Sequence, residues 1–202
     1  QISLQRFPKD WDRLCLVLQS GASRSRSYSR QEAGKLTRIG VLALQGDFAE
    51  HIGILKSLDV DCLEIRLPED LDGIDGLIIP GGESTTMVHL MKAFDITATL
   101  KSMIRQGVPT WGTCAGMIVL ARELTDSKPE PLRMIDIKVK RNAYGSQIDS
   151  FEADIYSTIW PDDPFRAVFI RAPAIEDIGE GVTPLAYLDH DNVVAAREAN
   201  IL

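Results

Sequence analysis

One twelve-residue stretch constrains the fold more than any other: Pro-Thr-Trp-Gly-Thr-Cys-Ala-Gly-Met-Ile-Val-Leu at residues 109–120. Its pattern is typical of a strand, a sharp turn and a helix in direct succession. Gly112 and Gly116 flank Cys114 two residues away on either side, the Gly-x-nucleophile-x-Gly spacing of a nucleophile elbow with Cys in place of Ser. Such a turn strains its central residue and brings backbone segments together, so side chains at the glycine positions would block it.

The elbow predicts a chemical role for Cys114. A thiol at the tip of the strand would be exposed and would lie at a helix N-terminus. The free N–H groups and the dipole of that helix favour a thiolate and can hold an oxyanion. An isolated cysteine more often packs as a small hydrophobic residue. The paired glycines favour the nucleophile over that alternative.

Length and composition fit a globular α/β domain. The chain has 202 residues, of which 45% are hydrophobic, and no apolar run is long enough for a membrane span. Its start does not resemble a secretory signal. Cys15, Cys62 and Cys114 are widely spaced, so they predict neither a disulfide framework nor a zinc site and favour a reducing compartment. We therefore expect a cytoplasmic protein with no metal and no membrane partner.

The charge is distributed unevenly along the chain. Residues 1–38 carry eight Lys/Arg against three Asp/Glu, whereas the remainder carries 14 against 26. The acidic part argues against nucleic acid as a partner. The Arg- and Ser-rich stretch at residues 20–30 has no apolar period, so we expect residues 1–36 to form a disordered extension. An organelle transit peptide is the alternative, which Asp10 and Asp12 weaken.

From residue 37 onward the pattern predicts a mostly parallel sheet flanked by helices. Buried strands are expected at residues 39–44, 60–66 and 75–80 and before Cys114. Helices are expected at residues 48–58, 85–106 and 115–124. In such an α/β arrangement, ligands bind at the C-terminal ends of the strands. The later chain predicts a smaller antiparallel portion, with strands at residues 134–140, 151–156, 165–171, 185–188 and 193–197.

A second loop complements the elbow. Gly-Gly-Glu-Ser-Thr at residues 81–85 follows a predicted parallel strand and opens a helix, so its N–H groups can face the same crevice as Cys114. The simpler interpretation is a tight turn in which Ser84 or Thr85 caps the helix. Together, the loop and the elbow indicate acyl transfer through a thioester.

Five ordered motifs lie at residues 41–51, 79–86, 111–117, 141–145 and 169–173. Together they resemble a known family, the glutaminase subunits of glutamine-dependent pyridoxal 5′-phosphate synthase, which are class I (triad) glutamine amidotransferases. The resemblance covers about residues 38–202, which would form one amidotransferase domain.

The resemblance implies a reaction and the residues that perform it. Cys114 would attack the side-chain amide of L-glutamine, release ammonia to a synthase subunit and leave a glutamyl thioester for water to hydrolyse. No cofactor is expected on this chain, because pyridoxal phosphate would be the partner's product. The Gly82 and Ala115 amides would form the oxyanion hole. The implied substrate-binding residues are Gly82, Glu83, Ser84, Arg141, Ile170 and Arg171.

The resemblance also implies a triad completed by a His-Pro-Glu segment, which residues 1–202 do not contain. We expect His51, His89 and His190 to have packing or surface roles, so the domain at residues 37–202 is expected to be incomplete at its C-terminal end. A non-catalytic binding subunit of the same complex is therefore an alternative to a glutaminase. A cysteine hydrolase of another α/β family is a third hypothesis.

Overall fold

The structure, a computed structural model, describes residues 37–143, 150–158 and 165–202. The extension expected at residues 1–36 lies outside these residues. The helices are α1 Phe48–Ser57, α2 Ser84–Ala93, α3 Thr97–Arg105 and α4 Ala115–Leu120, with a 3-10 helix at Pro68–Leu71. The strands are β1 Arg38–Leu42, β2 Asp61–Ile65, β3 Gly76–Ile79, β4 Thr110–Gly112, β5 Ala121–Leu124, β6 Ile135–Lys140, β7 Phe151–Ser157, β8 Phe165–Phe169, β9 Ala174–Ile178, β10 Thr183–Tyr187 and β11 Val193–Arg197.

The first four strands form a parallel sheet in the order β2-β1-β3-β4, which confirms the predicted α/β architecture. Its two central strands, β1 and β3, are buried on both faces apart from Arg38, as their continuous apolar runs predict. Ile39, Val41 and Ile78 pack with α1 on one face. Leu77 and Ile79 point the other way, into the larger core formed with α2, α3 and α4. The alternation of side chains along each strand thus builds two cores from one sheet.

The long helix predicted at residues 85–106 is two helices, so that prediction is wrong at its centre. Asp95 has a φ of 54°, and the Ile96 amide donates to the Met91 carbonyl at 3.1 Å. The chain therefore turns after α2 and starts again as α3. This turn buries both Met91 and Ile96 in the core.

The helix predicted at residues 115–124 ends at Leu120. Residues 121–124 instead form β5, which pairs in parallel with β6, and β6 pairs on its other side with β9 in the antiparallel direction. The sequence reading did not predict β9. Pairing with β6 outweighs the helical propensity of the β5 residues Ala-Arg-Glu-Leu.

A third sheet has the order β11-β10-β7-β8, and each of its pairs is antiparallel. The antiparallel portion predicted for the later chain is thus confirmed. The turn predicted between the last two strands is also present, because the Asp191 and Asn192 amides donate to the Asp189 carboxylate. No helix in the described ranges is long and apolar enough to cross a membrane.

Candidate active site

Cys114 lies between β4 and α4 with φ 50° and ψ −101°, a conformation that L-residues rarely adopt. Two backbone hydrogen bonds hold the turn. The Thr113 amide donates to the Ile79 carbonyl at 3.0 Å, and the Gly116 amide donates to the Thr113 carbonyl at 2.8 Å. The elbow is thereby attached to the C-terminal end of β3, at the end of the sheet where ligands bind.

The two glycines of the elbow are required by close backbone contacts. A Cβ at Gly112 would lie 2.8 Å from the carbonyl carbon of Gly116, and a Cβ at Gly116 would lie 2.9 Å from the carbonyl carbon of Ile79. Both distances are shorter than real Cβ contacts allow. Side chains are therefore excluded at both glycine positions, as the sequence predicts.

The Gly81–Gly82 loop lies against Cys114. A Cβ on Gly81 would be 3.6 Å from the Cys114 Cβ, and Gly82 has a φ of 145°, which favours glycine. The amides of Gly82 and Ala115 both hydrogen-bond the Cys114 sulfur. The two N–H groups expected to form an oxyanion hole thus converge on the Cys114 sulfur.

Two opposing effects act on the acidity of Cys114. Burial raises the pKa of the thiol, and hydrogen bonds from the Ala115 and Gly82 amides act in the opposite direction. Burial is the larger effect, so the pKa is raised overall. The helix N-terminus therefore does not by itself make Cys114 a thiolate. A base that accepts the thiol proton would have to assist the attack.

The segment after β1 supports the Gly81–Gly82 loop from the other side. The Asp47 amide donates to the Gly81 carbonyl at 3.1 Å, and the Glu83 amide donates to the Oε1 atom of Gln45 at 3.1 Å. The Nε2 atom of Gln45 is buried and has no hydrogen-bond partner within the described part of the chain. Gln45 thereby fixes the backbone between Gly82 and α2.

Glu83, rather than Ser84 or Thr85, is the N-cap of α2. Its carboxylate accepts from the Thr85 amide at 2.9 Å, the Thr86 amide at 2.6 Å and the Thr86 hydroxyl at 2.7 Å. Burial tends to raise the pKa of this carboxyl, but the hydrogen bonds from Thr86 and Thr85 outweigh it and lower the pKa to about 2. Glu83 is therefore an ionised cap, and Ser84 beside it is buried.

Arg141 follows β6 directly and reaches the same loop. Its Nη1 donates to the Thr85 hydroxyl at 3.3 Å, while Nε and Nη2 donate to Asp126. The Ala143 amide donates to the Ala172 carbonyl at 3.2 Å, which joins the Arg141 turn to the Ile170–Arg171 stretch. Arg171 is exposed and has a φ of 45°.

The three histidines have the packing and surface positions expected from the sequence. His51 is buried on α1, with its ring edge-on to Trp111 at a centroid distance of 5.7 Å. Burial lowers the pKa of His51 to about 4, and Glu50 opposes that shift only partly. His89 on α2 and His190 in the turn after β10 are exposed. No cluster of three metal-ligating side chains occurs in the described ranges.

Comparison with known proteins identifies the family. The model of the SNO glutamine amidotransferase family matches residues 41–202. The chain belongs to this family. The resemblance to class I glutamine amidotransferases seen in the sequence motifs is thereby confirmed.

Relatives of this family member are similar over most of their length. The chain is 48% identical over 166 residues to pyridoxal 5′-phosphate synthase subunit PdxT of Roseiflexus sp. (strain RS-1), covering 81% of this chain and 88% of that protein. It is 49% identical over 172 residues to the PdxT protein of Mycobacterium ulcerans (strain Agy99), covering 83% and 86%.

Solved structures agree with this relationship. A crystal structure described as a glutamine amidotransferase is 42% identical and superposes with a TM-score of 0.74, covering 81% of this chain and 86% of that one. PurLQS from Thermotoga maritima shares the fold alone, with a TM-score of 0.62 at 13% identity over 83% of this chain and 85% of that one.

The predicted site residues lie in two groups that meet at the start of α2. Gly82 and Ala115 adjoin the Cys114 sulfur, and the buried Ser84 begins α2. Arg141 contacts Thr85 and is joined through Ala143 and Ala172 to residues 170–171. Their roles toward glutamine stay predictions. Asp126 was not predicted from the sequence, and Gln45 was expected only as part of a motif. Asp126 carries no local signal, since its significance depends on a contact with a residue 15 positions away.

Proposed function

We propose that this protein hydrolyses L-glutamine to glutamate and ammonia through a thioester on Cys114, and that it delivers the ammonia to a pyridoxal 5′-phosphate synthase subunit. The observation that carries this proposal is the strained Cys114 turn, whose sulfur accepts hydrogen bonds from the Gly82 and Ala115 amides. Membership of the glutamine amidotransferase family and identity near 48% to PdxT proteins support the substrate and the partner.

The chemistry has two steps at Cys114. The sulfur bonds to the amide carbon of the glutamine side chain, and the C–N bond then breaks to release ammonia, which leaves with the thiol proton and its own two. Water next cleaves the C–S bond, giving glutamate and restoring the thiol. Each step passes through an oxyanion that the Gly82 and Ala115 amides can hold. A donor in such a hole contributes about 2.7–4 kcal/mol to transition-state stability.

Recognition of the amino-acid portion of glutamine falls to the groups around α2. Arg141 has the planar guanidinium that suits a free α-carboxylate. The Glu83 carboxylate is occupied as a helix cap, so we assign the contacts of Gly82, Glu83 and Ser84 to their main chain. Ile170 and Arg171 would close the site on the side of the Arg141 turn.

The partner would dock where residues 45–51 adjoin the Gly81–Gly82 loop. The Asp47 amide of this segment bonds the Gly81 carbonyl, and the Gln45 side chain accepts from the Glu83 amide. Contact with a partner would therefore act on the backbone on both sides of Gly82. We expect low activity until the synthase subunit binds. We further propose that the complex is cytoplasmic, because the free thiols Cys62 and Cys114 suit a reducing compartment.

The test combines turnover with active-site labelling. Full-length protein is assayed for ammonia release from glutamine with and without the synthase subunit, and it is labelled with a diazoketone analogue of glutamine. We expect label on Cys114, protection by glutamine and ammonia release only in the complex. Cys62→Ala is the matched control and should label fully, whereas Cys114→Ser should not label.

The other readings predict different outcomes. Glutamine protection of Cys114 without ammonia release from the complex would identify a non-catalytic binding subunit. Labelling at Cys62, or at Cys114 with no protection by glutamine, would contradict the proposal and favour a cysteine hydrolase with another substrate.

A further inference from the structure

Asp126 and Arg141 lie at the same end of two neighbouring strands. β5 and β6 are parallel, with Leu124 opposite Val139, and the Thr125 amide donates to the Val139 carbonyl at 3.0 Å. The chain therefore leaves both strands on the same side of this sheet. Asp126 follows β5 by two residues and Arg141 follows β6 directly, so their side chains meet just beyond the strand ends.

The contact between them is specific in geometry. The Nε and Nη2 atoms of Arg141 both donate to the Oδ2 atom of Asp126, at 2.8 and 2.7 Å. The third nitrogen, Nη1, donates to the Thr85 hydroxyl at 3.3 Å. Thr85 belongs to the first turn of α2, three residues beyond Gly82, whose amide bonds the Cys114 sulfur. Asp126 thus holds one side of the guanidinium while the opposite nitrogen reaches the candidate active site.

Part of the Arg141 guanidinium is available to a ligand. A guanidinium has five N–H groups in one plane. Asp126 takes two of them, one on Nε and one on Nη2, and Thr85 takes one on Nη1. Within the described residues, one N–H on Nη1 and one on Nη2 remain, and the end of a guanidinium carries one N–H from each of these two nitrogens. A parallel pair of this kind is the fork that binds both oxygens of a carboxylate.

We infer that Asp126 is a positioning residue that orients Arg141 so that the free end of its guanidinium receives the α-carboxylate of glutamine. This inference rests on the proposed function for the identity of the substrate. Without Asp126 the long Arg141 side chain would sample several rotamers, and part of the binding energy would be spent on ordering it. The pair is partly exposed, with side-chain exposures of 23% for Arg141 and 45% for Asp126. Pairs this exposed contribute little to folding, so the effect should fall on substrate binding.

The kinetic test uses the complex with the synthase subunit. Asp126→Ala should raise the KM for glutamine about tenfold and leave kcat within about twofold, since the α-carboxylate contact is the same in ground state and transition state. Asp126→Glu should recover most of the loss. The matched control is Glu123→Ala, which removes a carboxylate of the same strand region that pairs with Lys138 at 3.0 Å. Its KM and kcat should equal those of the wild type.

A neutral substrate separates positioning from a general structural effect. In L-glutamine α-amide the carboxylate is replaced by a carboxamide, so the wild-type complex should use it poorly. Asp126→Ala should then cause no further loss of kcat/KM with this substrate. An equal loss with both substrates, an unchanged KM for glutamine, or a lowered KM would each overturn the inference.

A direct measurement of glutamine affinity tests the role of Asp126 independently of whether the complex releases ammonia. Glutamine affinity is measured by calorimetry on the complex carrying Cys114→Ala, with and without Asp126→Ala. If the wild-type complex released no ammonia, the proposed function would fail. A retained tenfold difference in glutamine affinity would still support the role of Asp126, and equal affinities would overturn it.

Discussion

The Cys114 residue combines a reactive group with an unfavourable backbone. Its φ of 50° and ψ of −101° place it where a Cβ is strained, a cost of order 1–3 kcal/mol. The Thr113 and Gly116 amides hold the turn through bonds to Ile79 and Thr113. The fold therefore tolerates strain at this position to present the thiol between two amide donors.

This strain predicts that Cys114→Gly is more stable than Cys114→Ala. Glycine stabilises the folded state because it removes the strained Cβ, and it stabilises the unfolded state by a smaller amount because its chain is more flexible. The expected net difference in unfolding free energy is about 1 kcal/mol in favour of glycine. The alanine variant retains the Cβ and serves as the matched control. Both variants should lose thioester formation. The measurement is chemical unfolding of each variant, and a glycine variant less stable than the alanine variant would show that the turn carries no strain.

Glu83 binds the helix rather than standing free for substrate. Both carboxylate oxygens accept hydrogen bonds from the first turn of α2. The pKa of about 2 in the fold lies below the ordinary value of 4.5. Because the folded pKa is lowered, this stabilisation is complete above pH 4.5 and is lost as the pH falls toward 2.

Replacing Glu83 should therefore affect stability more than glutamine affinity. Glu83→Ala should cost about 1 kcal/mol of unfolding free energy, the usual loss of an N-cap. Glu83→Gln should lose the pH dependence described above and keep the KM for glutamine within about twofold, because we assign the substrate contact to the main chain. Glu69→Gln is the control, an exposed acid in the first turn of the 3-10 helix Pro68–Leu71. A tenfold rise in KM with unchanged stability would make the Glu83 side chain itself a ligand.

At the scale of elements, local patterns predicted the parallel sheet and failed where long-range contacts decide. The apolar runs of β1 and β3 required burial on both faces, and the glycines around Cys114 had a local steric reason. The break between α2 and α3 depends on a left-handed Asp95, a conformation that many sequences with the same pattern do not adopt. Residues 121–124 form a strand only because β6 lies beside them.

The candidate site likewise has a part that local sequence patterns predict and a part that depends on long-range contacts. Cys114, Gly82 and the start of α2 lie within short motifs that can be recognised in the sequence. Arg141 contacts Thr85 and Asp126, which lie 56 and 15 residues before it in the chain. No local pattern encodes such a contact. The resemblance to a family supplied Arg141, and the structure was needed to supply its partner Asp126.

The packing of α4 on β3 predicts a sharp contrast between two glycines. Gly116→Ala would place a Cβ 2.9 Å from the carbonyl carbon of Ile79, and backbone atoms cannot move aside as a flexible side chain would. We expect a loss of about 1–3 kcal/mol, as for overpacking elsewhere, and a displaced Cys114 that no longer reacts with the glutamine analogue. Thermal unfolding and labelling measure the two effects.

Gly53 provides the control for this substitution. It lies within α1, and a Cβ there would meet nothing within 4 Å. Gly53→Ala should therefore stabilise the protein by roughly 0.5–1 kcal/mol through helix propensity, with labelling unchanged. Equal behaviour of the two variants would show that the contact at Gly116 is not restrictive.

At the scale of the whole molecule, distant parts of the chain meet on β4, the strand that leads to Cys114. Ile201 forms a parallel bridge with Thr110, and the Gly112 amide donates to the Leu202 carbonyl at 2.8 Å. The Asn200 side chain donates to the carbonyls of Ile104 and Val108. On the other face, His51 of α1 packs edge-on against Trp111. The elbow thus depends on α1, β3 and residues 200–202 together.

The burial of His51 makes the stability of the whole molecule depend on pH. Its pKa is about 4 in the fold against 6.5 for the free side chain, chiefly because burial disfavours the charged ring. Above pH 6.5 both folded and unfolded states hold a neutral ring. Between pH 6.5 and 4 the unfolded state binds a proton that the folded state excludes, so the free energy of unfolding falls as the pH falls. Below pH 4 the dependence due to this group ends.

The expected loss across this window is on the order of 3 kcal/mol, from about 1.36 kcal/mol for each unit of pKa difference. The carboxyl of Glu83 titrates below the window, so it adds little to the slope. Urea unfolding at a series of pH values should show the slope in the wild type and in His89→Leu, whose histidine is exposed. His51→Leu should flatten it, whatever its stability at neutral pH, because an apolar residue takes up no proton in either state. An undiminished slope in His51→Leu would assign the pH dependence to other groups and would mean that the ring beside Trp111 is charged within the fold.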